Sequence, residues 1–366
     1  MHLSDLLALR PVPAGGVFLT LTRRCPLTCA HCSTNSMLSS EEHDAEIFRR
    51  FVSTFTVDDH PTFVWLTGGE PLLRPALVEE LTAAAHAAGS RVALVSGMFF
   101  ARQRRIPPAL LRALLAVDHV VASQDVYHEV QVPRADVFRA IATLLEAGQD
   151  VSFQIVGRGA EDPYLAELTG EIRAAFADRV PALVAPLGAV GRALSLPEAL
   201  ARAVPVASAG ESEPAPCPMA AWPVVAFDGT IVACCNQRAV DGPAPAHLRL
   251  GHALVDGWPA IRARCTRSPV LRALRVFGPE VVAERYGGGL DPCDGYCGTC
   301  LKLSDAPGLQ ERLGAELPER RLAALDEQVM RIQTAAGARG FARRYGVRGY
   351  DHMLELGAEK VERCAV

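Results

Sequence analysis

The stretch GVFLTLTRRCPLTCAHCS, residues 16–33, runs a Val-, Leu- and Phe-rich segment directly into a loop bearing Cys25, Cys29 and Cys32. A strand that ends in a chemically loaded loop reads as the first unit of a βα architecture. The C-x3-C-x2-C spacing supplies three thiolates in one short loop. A cubane iron–sulfur cluster has four irons, each normally held by a cysteine, so three thiolates leave one iron with an open position. Zinc also takes clustered cysteines, but it needs a fourth ligand, for which His31 and His43 are the nominal candidates.

The pattern continues outward from that loop. Five more β-rich runs read as strands at 63–69, 91–97, 119–125, 151–157 and 182–188, with amphipathic segments between them. Ser39-Ser40-Glu41-Glu42 has the composition of a helix N-terminus, and Ile47, Phe48, Phe51 and Phe55 would form its apolar face. Pro75 opens a second helix that ends at Gly89, and others are expected over 107–117, 136–148 and 164–177. Strand, helix, strand at this spacing implies parallel βα units, and six of them make an incomplete (β/α)8 barrel. Chemistry in such barrels sits at the C-terminal ends of the strands. The cysteine loop, LTGGEP (66–71), SQDVYHE (123–129) and GRGAEDPY (157–164) all follow strands, so all four would meet at one mouth.

Of the 366 residues, 49% are hydrophobic and 21% charged, and the net charge is −4. This is the composition of a soluble globular protein with one large core and a smaller unit. A near-neutral balance with no basic run argues against a nucleic-acid-binding surface. No stretch suits a bilayer span and the N-terminus lacks a signal-peptide pattern, so the expected location is cytoplasmic. Eleven cysteines in a reducing compartment point to metal or redox chemistry ahead of disulfides.

The thiol triplet followed by a strand ending in Gly68-Gly69-Glu70-Pro71 resembles the radical S-adenosylmethionine (SAM) superfamily, over residues 16 to about 190. The resemblance implies that Cys25, Cys29 and Cys32 hold a [4Fe-4S] cluster whose open iron is chelated by the methionine part of SAM. Gly68, Gly69 and Glu70 match the segment that meets the SAM amino group, where a backbone without Cβ can come close. His31 would lie near the adenine. Ser123 and Asp125 match polar positions that contact the ribose or methionine part, although a strand-end serine also satisfies turns and an Asp there also caps a following segment. Arg158 would meet the SAM carboxylate or a substrate anion, or else face solvent. Gly191-Arg192-Ala193 resembles a GRA segment of SPASM-type members on the adenine side.

Cys217, Cys234, Cys235, Cys293, Cys297 and Cys300 form a second set. The run from Cys217 through Gly229 to Cys234 resembles the opening of the SPASM and twitch extensions of this superfamily. A full SPASM set has seven cysteines, so the shorter set here implies one auxiliary [4Fe-4S] cluster. Cys217, Cys234, Cys297 and Cys300 would bind it, with Cys293 as the replacement; zinc is the rival occupant. Cys235 adjoins Cys234, and strand neighbours face opposite ways. It reads either as an ordinary buried cysteine or as a hydrogen donor to a substrate radical. His128 and Glu129 are candidate proton acceptors, the alternative being a solvated loop.

The expected fold is therefore α/β. A partial (β/α)6 TIM-like barrel would occupy 1–202 and a linker 203–216. A small α+β twitch/SPASM-like cluster domain, with a hairpin turned at Asp228-Gly229, would span 217–304, and a helical tail 305–366. The resemblance implies reductive cleavage of SAM, with electrons from a donor such as flavodoxin or ferredoxin, and abstraction of a substrate hydrogen. The substrate would be a ribosomally made peptide, modified by crosslinking, thioether formation or epimerisation. One alternative is a carbohydrate-like metabolite in an antibiotic pathway, oxidised or epimerised. Another is a non-catalytic iron–sulfur or zinc scaffold.

Overall fold

A computed structural model describes residues 1–198, 200, 214–290 and 295–358. Strands β1 (Gly16–Thr20), β2 (Phe63–Thr67), β3 (Arg91–Ser96), β4 (His119–Ser123), β5 (Val151–Gly157) and β6 (Ala182–Pro186) lie side by side in chain order, each parallel to the next. Helices Glu46–Val52, Pro75–Ala88, Pro108–Ala116, Arg134–Glu146 and Pro163–Phe176 make the five crossovers. This is the expected partial (β/α)6 barrel.

One helix starts later than its composition suggests. Ser39-Ser40-Glu41-Glu42 precedes the helix instead of opening it, and the first helical residue is Glu46. The Glu42 carboxylate is committed to tertiary contacts, accepting from Thr22 Oγ1 at 3.1 Å and from Arg74 Nη1 at 3.3 Å. Those contacts draw the segment toward the end of β1 and leave it irregular.

The strands show the two-residue period of a sheet covered on both faces. Val64, Leu66, Val92, Leu94 and Val120 pack outward among Phe48, Leu81, Leu114 and Ile141 of the helices. Phe63, Trp65, Ala93 and Val121 point to the concave face. Six strands do not close a barrel, so that inner face needs a cover. Both ends of the chain provide it. Leu3, Leu6 and Leu7 of helix Leu3–Ala8 meet Ala338 and Ala342 of helix Gly337–Tyr345 there, with Leu354. The Val347 N–H also donates to the Val184 carbonyl at 2.9 Å, so the tail attaches to the β6 edge. Each fully buried Leu on this face stabilises the fold by roughly 1.5–3 kcal/mol. The end of the helical tail, from Gly337 onward, is thus an inner lining of the barrel.

The extension continues the same sheet. β7 (Val224–Val225) pairs in parallel with β1, and β8 (Thr230–Val232) and β9 (Arg249–His252) follow antiparallel, giving the order β6-β5-β4-β3-β2-β1-β7-β8-β9. The expected hairpin is present: Thr230 N–H donates to Asp228 Oδ1 at 2.9 Å, and Gly229 takes a φ of 91°. Most of the expected linker lies outside the described residues, as does Cys293. Behind the hairpin, helix Pro269–Phe277 is bound to helix Glu319–Ala335 by Arg275, whose Nε and Nη2 donate to the two Asp326 oxygens at 2.9 and 2.7 Å.

Candidate active site

The first thiol loop leaves the end of β1 and is gripped from three directions. Gly69 N–H donates to the Thr22 carbonyl at 2.7 Å and Glu70 N–H to the Arg24 carbonyl at 2.9 Å. A Cβ on Gly69 would stand 2.3 Å from the Arg24 oxygen, and one on Gly68, with φ 136°, would stand 2.5 Å from the Thr22 oxygen. The two glycines therefore let the β2 turn touch the chain just ahead of Cys25. On a second side, Arg192 Nε donates to the Cys29 carbonyl at 3.0 Å, its Nη2 to the Ser36 carbonyl at 2.9 Å, and its backbone N–H to the Cys32 carbonyl at 2.9 Å. Gly191, at φ 56°, would place a Cβ 2.4 Å from that Cys32 oxygen. On the third, Gln131 Oε1 accepts from Thr28 N–H at 2.7 Å while its Nε2 donates to Cys29 Sγ at 3.4 Å. The GRA run marks the second grip in the sequence; nothing marks Gln131.

Glu70 is fully buried and ties β2 to β3. Its carboxylate accepts from Leu72 N–H at 3.1 Å, Ser96 Oγ at 3.0 Å and Gly97 N–H at 2.9 Å. Burial pushes its carboxyl up to about 7 in spite of those bonds. Burial also pushes the Cys25 thiol up to about 12, the Leu27 N–H opposing and the charges of Glu70, Cys29 and Cys32 adding to it. Three thiolates beside a carboxylate are unfavourable without a positive charge among them. A cationic iron–sulfur core supplies such a charge.

At the end of β4, half-buried Ser123 leads to the fully buried Asp125. Asp125 Oδ1 accepts from Tyr127 N–H at 3.0 Å and His128 N–H at 3.1 Å, capping the short helix Val126–Glu129. Its Oδ2 accepts from His128 Nδ1 at 3.0 Å and lies 3.2 Å from His31 Nε2. Burial works against the charge on Asp125, but the two imidazoles hold its carboxyl well below the usual range. For His128, burial again opposes the charge, and Asp125 and Cys29 beside it keep its proton on. The His31 ring stacks on Tyr127 with centroids 4.7 Å apart. His128, His31 and Asp125 thus form one bonded group next to Cys29.

Two expected site residues are engaged elsewhere. The Glu129 carboxylate accepts from Arg134 Nη2 at 2.9 Å and from the Tyr164 hydroxyl, so it is drawn toward its cationic neighbour and away from the role of open base. Arg158 lies 44% exposed and donates through Nε and Nη2 to Asp162, at 3.2 and 3.1 Å, at the start of helix Pro163–Phe176.

The extension brings the second thiol set together. Burial raises the Cys234 thiol well above its ordinary range, with Cys235, Cys217 and Cys300 adding to the effect. Cys300 is raised in the same way, by burial and then by Cys217 and Cys297. Cys300 Sγ also lies 3.8 Å from Nε2 of His247, a residue the sequence did not single out. Cys235 is exposed, 4.0 Å from Met219 Sδ, and close enough to Cys234 and Cys297 for its charge to act on both. Among the described residues the one group of three ligand atoms all within 4.8 Å of one another is His31, Asp125 and His128; no three cysteine sulfurs come that close. A single tetrahedral zinc, with bonds near 2.3 Å, would hold its sulfurs about 3.8 Å apart. A four-iron cube spreads its thiolates more widely.

A cavity of about 690 Å³ opens between barrel and extension. Ser33, Gly191 and Leu194 line it from the barrel, and Gln237, Arg238 and Leu301 from the extension.

Over 121 residues the chain is 37% identical to the PqqA peptide cyclase of Ruegeria pomeroyi, a match that covers 31% of this chain and 29% of that protein. The chain therefore spans less than a third of that relative's length. Among solved structures, BtrN in complex with AdoMet and 2-DOIA aligns with a TM-score of 0.43 and 12% identity over 71% of this chain and 87% of its own. Streptococcus suis SuiB bound to S-adenosylmethionine aligns with a TM-score of 0.35 and 13% identity over 62% of this chain and 61% of its own. Residues 19–168, from β1 through the thiol loop to the helix after β5, match the family described as the radical SAM superfamily. The triplet and GGEP both lie inside that span, so the match falls on the part of the chain that carries the first thiol site.

Proposed function

We propose that this protein is a peptide-modifying radical SAM enzyme with two iron–sulfur sites. The observation that carries the reading is the gathering of Cys25, Cys29 and Cys32 beside the buried Glu70 and the bonded His31–Asp125–His128 group. Cys25, Cys29 and Cys32 would hold the catalytic [4Fe-4S] cluster. Cys217, Cys234, Cys297 and Cys300 would hold one auxiliary cluster. When loaded, the first site and SAM together supply a carbon-centred radical able to remove an unactivated hydrogen atom.

The protein's own residues bind, orient and shield. Gly68, Gly69, Gly191 and Arg192 fix the first thiol loop. Asp125, buried and held anionic between His31 and His128, fixes both imidazoles and the start of the Val126–Glu129 helix, and half-buried Ser123 is the polar group left at the end of β4 for a bound SAM. His128 acts here by positioning Asp125. Cys235, with its sulfur exposed on the extension, is the candidate hydrogen donor if the net reaction is an epimerisation. The likeness to a peptide cyclase favours a peptide substrate.

The test is anaerobic reconstitution with SAM, a ferredoxin or flavodoxin donor and short peptides encoded beside the gene. The expected result is 5′-deoxyadenosine formed in step with a mass change in one peptide, and its loss in Cys29→Ala. Deoxyadenosine coupled to a sugar-like metabolite and to none of the peptides would move the substrate class. Its absence under all conditions would return the protein to the scaffold reading.

A further inference from the structure

Arg10 is a buried cation without a carboxylate. Its side chain is 3% exposed, its Nη1 has no hydrogen-bond partner, and among the described residues no acid pairs with it. Its Nη2 points at two sulfurs, 3.2 Å from Met219 Sδ and 3.6 Å from Cys235 Sγ. The guanidinium carbon lies 5.1 Å from the centre of the Phe18 ring and 4.8 Å from that of Trp222. Aromatic faces return only part of what it costs to bury a charge, so the site calls for an anion.

The chain is built to deliver this charge to the extension. Trp222 Nε1 donates to the Leu9 carbonyl at 3.1 Å and Ala14 N–H to the Ala221 carbonyl at 2.7 Å, which latches both flanks of Arg10 onto the turn Pro218–Ala221. Cys217 begins that turn, and Cys235 adjoins Cys234. The Tyr345 hydroxyl reports the same neighbourhood. Burial raises its pKa, and it feels both the charge of Arg10 and that of Cys217.

We infer that Arg10 is the counter-charge of the auxiliary cluster, a positioning residue that neutralises the second thiol set and raises its reduction potential. The inference rests on the reading that this set holds iron and sulfide. Four thiolates around a doubly positive core leave a net charge of about −2, and one electron more makes it about −3. A fixed cation nearby stabilises the reduced form more than the oxidised one. Cluster potentials respond to such charge, to hydrogen bonds at sulfur and to solvent exposure. An auxiliary site so poised is a better acceptor for an electron leaving a substrate radical.

The experiment uses the full chain with Cys25, Cys29 and Cys32 changed to Ala, so that only the second site loads. Iron and sulfide are counted, and the midpoint potential is read by redox titration followed by paramagnetic resonance. Arg10→Met fills the slot between Phe18 and Trp222 without charge; Arg10→Lys keeps the charge. The expected result is about four irons per chain in all forms. In Arg10→Met the reduced-to-oxidised ratio at fixed potential falls at least tenfold, a negative shift of about 59 mV for one electron. Arg10→Lys stays within a few-fold of the parent. Iron lost from Arg10→Met but kept by Arg10→Lys also supports a charge requirement. An unchanged potential in a fully loaded Arg10→Met overturns the inference, as does an Arg10→Lys that shifts or loses iron as much as Met does. A parent without iron removes the auxiliary-cluster reading, and the inference falls with it.

Discussion

Arg192 Nε donates to the Cys29 carbonyl at 3.0 Å, tying the turn after β6 to a thiol loop 163 residues earlier in the chain. With its Nη2 on the Ser36 carbonyl and its own N–H on Cys32, this one residue spans the loop that carries the triplet. The last βα unit therefore sets the shape of the first.

Arg192→Ala should weaken metal retention at the first site about 10–100-fold, the usual effect of removing a group that orients ligands. Arg192→Lys should recover little, because an ammonium cannot reproduce the planar fork across two carbonyls. Iron counts during chelator challenge measure this. Iron at the second site should be unaffected, and a parallel loss from both sites would point to global unfolding instead.

Gly69→Ala and Gly170→Ala should have opposite signs. A methyl at Gly69 meets the Arg24 carbonyl at 2.3 Å, where backbone must move, so a loss of about 1–3 kcal/mol is expected together with poor loading of the first site. Gly170 lies within helix Pro163–Phe176 with open space around it, so Ala there should stabilise by about 0.5–1 kcal/mol. Urea midpoints of the two variants decide the matter.

Acid sensitivity should trace in part to His119. The buried ring donates from Nδ1 to the Met1 carbonyl at 2.8 Å, so Nε2 is the acceptor for the Ser152 hydroxyl at 2.7 Å. The native state therefore holds this imidazole neutral, and burial pushes its pKa down to about 4 from an ordinary 6.5. The unfolded chain takes up the proton first. The contribution is complete above about pH 6.5 and is lost as the pH falls toward 4, on the order of 3 kcal/mol in all. In denaturant titrations from pH 7 to 4.5, His119→Asn should be less stable at pH 7 but lose less on acidification. Parallel slopes for the two proteins would rule out this assignment.

The Arg275–Asp326 pair should be worth far more to break than to replace. Asp326→Ala leaves a buried guanidinium with only the Ala220 and Cys265 carbonyls to accept from it and no counter-charge, and a loss of about 3–5 kcal/mol is expected. Replacing both residues with apolar side chains of similar size should restore most of it. Unfolding free energies of the two single variants and the double variant test this. A double variant as unstable as Asp326→Ala would mean that the pair itself, and not the orphaned cation, carries the stability.

Much of this architecture can be read from residue order. The β-rich runs and intervening amphipathic segments locate all six parallel strands because strand period and turn residues are local signals. The same holds for the hairpin at Asp228-Gly229. Helix starts are less legible: Glu42 has the right charge for a first turn, but its carboxylate is taken by Thr22 and Arg74. The candidate site divides in the same way. Cysteine spacing marks the thiol sets, whereas Gln131, His247 and Arg10 carry no local signature. Each reaches its sulfur through long-range contacts, Arg10 from 225 residues away in sequence. The tail's place in the concave face was equally hidden, because its small apolar surface acquires meaning only against Phe63 and Trp65.

β1 lies between β2 and β7, so the strand that launches the first thiol loop also carries the extension on its other edge. Modularity stops at that strand. A chain cut after the sixth βα unit would not release a self-sufficient catalytic cassette. It would bare the β1 edge and strip Trp222 from Phe18, presenting a sticky, unpaired border that invites self-association. Engineering of this scaffold should graft loops and leave the halves uncut.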